Sequence, residues 1–156
     1  MRGDPAVIEA LNSILTAELT AINQYFIHSK MCRNWGLLRL AKHNHEESID
    51  EMKHADAVIE RILFLDGVPN MQRLGSVRVG EAVPEQFKLD LELELEAVKR
   101  YNGAIVLCTE KNDAGTRELL EDLLKDEEGS VDWHEAQIGL IQKLGVERYL
   151  SEQLKE

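Results

Sequence analysis

The sequence predicts an all-α fold: a four-helix bundle with one long crossover between the second and third helices and a short fifth helix at the C-terminus. Three observations predict it. With three prolines, 5% aromatic residues and abundant Leu, Glu and Ala, the 156-residue chain favours helices over a strand-rich sandwich. Apolar residues recur at three-and-four spacing through four long stretches. The connections between these stretches are tight except one, Gly67 to Pro84, which holds three of the ten glycines and two of the three prolines.

The first helix is expected at about 5–34. Asp4 is an N-cap followed by Pro5 in the first turn, where a missing N–H costs nothing. Val7, Leu11, Ile14 or Leu15, Ile22 and Tyr25 form its stripe, and Asn34-Trp35-Gly36 ends it. A second helix, about 38–66, carries Ala41, Ala55, Val58 and Ile62 and stops at Asp66-Gly67-Val68-Pro69. The third, about 85–111, keeps Phe87, Leu91, Val98, Tyr101, Ile105 and Cys108 in phase. Within it Leu89, Leu91, Leu93 and Leu95 alternate with acids in a strand-like way, but the helical phase continues on both sides. The fourth, about 115–144, has Leu120, Leu123 or Leu124, Val131, Ile138 and Ile141 as its stripe and ends at Gly145; the fifth is expected at about 146–155. The 18-residue connector, at about 3.3 Å per residue, is long enough to run the length of a helix of about 40 Å, so one domain spanning 1–156 is expected.

Composition bounds the function. The 29 Asp+Glu against 18 Lys+Arg give a formal net charge of −11, which argues against nucleic acid as a partner. Cys32 and Cys108 lie far apart with no Cys or His cluster, as expected of two reduced thiols. The start, Met-Arg-Gly-Asp-Pro, lacks the apolar core of a signal peptide, and no run approaches the roughly 18 apolar residues of a membrane span. A cytoplasmic protein without a membrane partner is the expectation.

Each helical stripe is interrupted near its middle by a carboxylate: Glu18, Glu51, Glu94 and Glu127. Antiparallel helices bring such midpoints to one height. Four carboxylates there cannot all stay ionised without a desolvation cost of several kcal/mol each, so protons, cationic partners or metal ions must balance them. A lone Glu of this kind ordinarily sits at the stripe edge with its tip in water, but four at matched heights do not. His54, three residues after Glu51 on the same face, adds a nitrogen donor suited to a transition metal.

At these residues the chain resembles a bacterioferritin over essentially its whole length. The di-iron pattern of ferritin-like bundles has one Glu from each of two helices and a Glu-x-x-His from each of the other two. Glu18 and Glu94 match the single carboxylates, and Glu51-x-x-His54, within Asp50-Glu51-Met52-Lys53-His54-Ala55-Asp56, matches the first pair. The second pair departs from the pattern: the chain reads Glu127-Glu128-Gly129-Ser130, with a hydroxyl where the resemblance implies an imidazole. One iron is then expected to be held less well. His134 lies seven residues after Glu127, about 10 Å along the axis, too far to replace the ligand without remodelling.

The resemblance implies oxidation of Fe(II) by dioxygen or peroxide at a non-haem di-iron centre, and storage of ferric mineral in a cytoplasmic cage of 24 subunits. It implies haem b shared across a two-fold subunit pair, with Met52 as axial ligand and an electron donor for iron release. The apolar residues Ile49, Met52, Ile59 and Leu63 on the second helix and Leu19, Ile22 and Phe26 on the first exceed what a bundle core needs, so a further subunit is expected there; Met52 read by itself is an interface gap-filler. Leu19, Ile22, Asn23, Phe26 and Ile59 are candidate pocket walls. Tyr25 matches a position linked to electron supply, and is equally a core tyrosine with a satisfied hydroxyl. Glu46, Glu47 and Asp50 are either cavity-facing or a solvated acidic face, and His28, His43 and His45 are expected at the surface or an interface. With Ser130, two other functions stand beside ferroxidase: a haem-bearing, catalytically impaired structural subunit of a mixed cage, and a di-iron peroxidase of the rubrerythrin type, the latter without rubredoxin-like cysteine pairs.

Overall fold

The computed structural model describes residues 1–156. Helix α1 spans Pro5–Asn34, α2 Leu38–Phe64, α3 Val83–Glu110, α4 Ala114–Leu144 and α5 Val146–Ser151, with no strand. The Asp4 carboxylate caps α1 by accepting from Ala6 N–H at 2.8 Å, a cap worth about 1 kcal/mol. Asp113 caps α4 in the same way, accepting from Thr116 N–H at 3.0 Å. The third helix begins two residues earlier than the sequence suggests, with Pro84 accepted in its first turn. The Leu89–Leu95 alternation is helical throughout, with Leu95 on the exposed side. The fifth helix stops at Ser151, short of the expected 155, after Tyr149 has sealed one end of the bundle. Gly145, at φ +82°, makes the sharp turn between α4 and α5.

Helices α1 and α2 pack together, α3 and α4 pack together, and the two pairs meet chiefly along α1 and α3. Contacts fix the directions. Tyr25 and Glu18 of α1 reach Glu94 and Tyr101 of α3 respectively, so those helices are antiparallel. Arg61 meets Asp113 while Glu47 meets Ser130, so α2 and α4 are antiparallel as well.

The crossover runs lengthwise along α1 on a ladder of polar side chains four residues apart. Asn12 donates to Val68 C=O and accepts from Asn70 N–H, and Thr16 accepts from Arg73 Nε. Thr20 accepts from Gly75 N–H, Gln24 from Arg78 N–H, and His28 Nε2 from Gly80 N–H at 3.0 Å. The i, i+4 spacing puts all five on one face; the Asn12, Thr20, Gln24 and His28 rungs satisfy backbone groups that an unpaired loop would leave to water, while Thr16 holds the Arg73 side chain. Gly80 allows the last step, since a Cβ there would stand 2.6 Å from the Gln86 backbone nitrogen.

This ladder corrects the expectation for His28, which is wholly buried rather than at a surface. With Nε2 accepting from Gly80, Nδ1–H donates to the buried Asp90 carboxylate at 3.0 Å, and Gln24 donates to the same group at 2.9 Å.

Two apolar layers bracket the middle of the bundle. One contains Val7, Leu11, Ile14, Leu15, Val58, Ile62 and Leu120, the other Cys32, Leu40, Ala41, Phe87 and Tyr149. Both cysteines are buried free thiols. By length and composition α1 reaches the mean hydropathy of a membrane-crossing helix, which the run-by-run reading of the sequence did not register; in the fold it is a core helix that buries Glu18, Gln24 and His28.

Candidate metal centre

Between the two apolar layers, each long helix places its mid-stripe carboxylate at the centre, as the periodicity predicts. Glu18, Glu51, Glu94 and Glu127 are all at most 2% exposed, and His54 is 4% exposed. Two groups of potential ligand atoms, each within 4.8 Å of one another, converge there: Glu18, Glu51, His54 and Glu127 form one, and Glu47, Glu51 and Glu94 the other. Glu51 belongs to both, so the groups adjoin. Buried oxygens without a hydrogen-bond partner, Glu18 Oε2 and Glu94 Oε2, mark a site whose donors exceed its protein partners. This donor set of carboxylates with one imidazole fits iron.

Three other oxygens of the cluster are held by hydrogen bonds. Tyr25 donates to Glu94 Oε1 at 2.6 Å, and Tyr101 donates to Glu18 Oε1 at 2.7 Å. His54 Nδ1–H donates to Glu127 Oε1 at 2.8 Å, and Nε2–H donates to Asp126 Oδ2 at 3.0 Å. A second partner at Nε2 fixes the ring so that Nδ1 faces the carboxylates.

Protonation follows from this packing. Burial, then the facing Glu18, pushes Glu51 well above the usual carboxylate range, and burial with Glu127 does the same to Glu94. Burial also opposes a charged Glu18, but hydrogen bonds from Glu51, His54 and Tyr101 outweigh it and hold Glu18 below its ordinary value. Burial would lower His54, yet hydrogen bonds to Glu127 and Glu18 win and raise it to about 11. Both tyrosines are kept as neutral phenols, chiefly by burial. The metal-free centre therefore carries its balancing charge as protons, the outcome that four buried carboxylates require.

Other expected residues fall elsewhere. Ser130 lies across from Glu47, donating to its two oxygens at 3.2 and 3.3 Å. His134 does not reach the cluster; its Nδ1–H donates to Ser130 C=O at 2.7 Å, and the ring packs among Tyr25, Phe87 and Trp133. His43 stacks on Trp133 at 3.5 Å between ring centres, and His45 is exposed. Met52, 51% exposed, shares an outward face with exposed Phe26, Ile49 and Leu63 and half-buried Leu19, Ile22 and Ile59. Asn23 is turned back onto its own helix, donating to Leu19 C=O at 2.8 Å.

Sequence reading missed Tyr101, Asp126 and the inward place of Glu47. Two signals were present. Glu47, Glu51 and His54 share one helical face, at four- and three-residue steps. The chain also repeats its own chemistry at a fixed offset of 76 positions, Glu18 to Glu94, Tyr25 to Tyr101 and Glu51 to Glu127, which marks Tyr101 as Tyr25's counterpart. The same offset pairs His54 with Ser130, so the repeat is broken at that ligand.

Antiparallel helices joined by a lengthwise crossover, enclosing two adjoining groups of potential ligands that share a carboxylate, define a ferritin-like helical bundle with a possible metal-binding centre. The family described as Ferritin-like domain matches residues 8–144. A bacterioferritin of Mycolicibacterium paratuberculosis is 54% identical over 149 residues, covering 96% of this chain and 94% of that one. A bacterioferritin of Streptomyces coelicolor is 52% identical over 97% of this chain and 90% of its own, and one of Rhodobacter capsulatus 48% identical over 93% and 90%. The chain belongs to the bacterioferritin family, whose role is iron storage.

Proposed function

We propose that this chain oxidises Fe(II) at the centre between its four helices and stores the ferric product as mineral inside a cytoplasmic, haem-containing cage of 24 subunits. The observation that carries the reading is the pair of ligand groups joined through Glu51, with two buried oxygens left unpartnered. Ferrous ions are the substrate, and a pair of them supplies the two electrons that reduce dioxygen to peroxide or peroxide to water.

The protein's own part is electrostatic and positional. Glu18, Glu51, His54, Glu94 and Glu127 hold the ions; Tyr25 and Tyr101 keep Glu94 and Glu18 turned inward; Asp126 keeps the His54 ring oriented. Protons on Glu51, Glu94 and His54 leave as ions enter, so the buried charge stays close to balanced throughout. Tyr25, a neutral phenol whose hydroxyl donates to Glu94 at 2.6 Å, stands beside the centre as a candidate electron source for the dioxygen or peroxide oxidant.

The exposed Met52 thioether among apolar side chains suits a haem ligand, a soft donor within a greasy wall. When bound, haem supplies one-electron transfer between an external donor and the stored mineral. Leu19, Ile22, Asn23, Phe26 and Ile59 would line it, together with the same residues of a second copy.

Ser130 makes the second position lack its imidazole and favours one alternative: a subunit weakened as a ferroxidase that carries haem within a mixed cage. Iron oxidation by the purified homo-oligomer, compared with its Ser130→His variant, tests this. A rate that rises with Ser130→His supports a weakened centre, and an unchanged rate refutes the weakening.

A further inference from the structure

Resting on the reading of the centre as a site for two ions, one question remains: what completes the second position, where an imidazole is missing. We propose that Glu47 takes that place, so that the second ion is held by carboxylate oxygen alone, from Glu47, Glu51 and Glu94, with Ser130 positioning Glu47.

Four observations carry it. The potential ligand atoms of Glu47, Glu51 and Glu94 lie within 4.8 Å of one another. Glu94 is wholly buried, and its Oε2 has no hydrogen-bond partner. The Ser130 hydroxyl, standing where the missing ligand would be, spans both Glu47 oxygens at 3.2 and 3.3 Å. Glu47 itself lines a cleft of about 510 Å³ between α2 and α4 together with Glu51, His54 and Ser130, which leaves room for an ion beside it.

A serine is a poor ligand but a good donor, so the exchange of imidazole for hydroxyl recruits a neighbouring carboxylate instead of leaving a gap. The repeat at 76 residues makes this one-sided: the counterpart of Glu47 in the second half is Leu123, so only α2 can supply the extra oxygen. The two positions then differ in kind. The first offers nitrogen and oxygen, while the second offers oxygen only and suits harder cations.

Cobalt(II) titration of the assembled, metal-free protein tests this, with bound ions counted by equilibrium dialysis and the imidazole-bound ion followed by visible absorbance. The wild type should take two Co(II) per chain. Glu47→Gln should weaken the second equivalent about ten-fold or more and leave the first intact, Ser130→Ala should weaken the second by a smaller factor, and His54→Ala should weaken the first. Adding Ser130→His to Glu47→Gln should restore the second. Two undiminished equivalents in Glu47→Gln would overturn the proposal and leave Glu47 as a partner of His43, whose Nε2 is 3.4 Å away. A single Co(II) in the wild type would also overturn it while keeping the His54 position, whereas none at all would sink the centre itself.

Discussion

Filling the centre should expel protons, His54 contributing one. In the metal-free chain, burial and facing carboxylates disfavour charge on Glu51 and Glu94 and raise both, and His54, raised to about 11, is cationic at pH 7. A carboxylate oxygen and an imidazole nitrogen bind a metal only after losing their protons. The His54 Nε2–H can stay on Asp126, so only the Nδ1 proton leaves that ring. Full loading should then release between one and about three protons per chain, one from His54 and the others from Glu51 and Glu94, and the overall binding constant should fall as pH falls, by about a factor of 10 per pH unit near 7 for each proton released. Calorimetric titration with Zn(II) in buffers of different ionisation enthalpy counts the protons directly, and His54→Ala should lower the count by about one. Release of less than one proton per chain, or affinity independent of pH between 6 and 8, would refute the protonation states assigned to these residues.

Three further outcomes follow from the same geometry. Between pH 7 and 8.5 the metal-free protein should lose thermal stability as pH rises, because the folded state holds on His54, raised to about 11, a proton that the unfolded chain has released, and the raised Glu51 and Glu94 act in the same direction; Glu18 and His134, both lowered, contribute no slope in that window. Scanning calorimetry checks the sign, and added Zn(II) should remove the trend. His28→Ala should cost about 3–5 kcal/mol in urea denaturation, since it strips the buried Asp90 of its ring partner and the crossover of its Gly80 rung. Met52→Leu should abolish the haem absorbance band after expression with ample haem while leaving the size of the assembly unchanged on gel filtration; a retained band would remove Met52 as ligand.

Much of this arrangement was legible because helical periodicity is local. Asp4-Pro5, Asn34-Trp35-Gly36 and Gly145 carry their boundaries in their own chemistry, and a Glu in mid-stripe is conspicuous against Leu15 and Ile22 on either side. The convergence of Glu18, Glu51, Glu94 and Glu127 needed only equal helix lengths and antiparallel order. What escaped depends on partners remote in sequence. The burial of His28 needs Asp90, 62 residues away, and the path of the crossover over α1. That path was itself written in Asn12, Thr16, Thr20, Gln24 and His28, but a polar row at four-residue spacing reads as a solvated face until something is known to cover it. Glu47 was obscured for the same reason, one acid among Glu46, Glu47 and Asp50, and its partners across the fold, Ser130 and Glu94, together with its helix neighbour His43, distinguish it from them.

The central claim, iron oxidation between the helices, is tested most directly by stopped-flow oxidation of Fe(II) added in increments to the assembled protein, beside a Glu18→Ala/Glu51→Ala variant of unchanged assembly size. A fast phase that saturates in proportion to the number of chains in the wild type, and vanishes in the variant, is the predicted result. Equal progress curves for the two proteins would contradict it and place any oxidation outside the bundle.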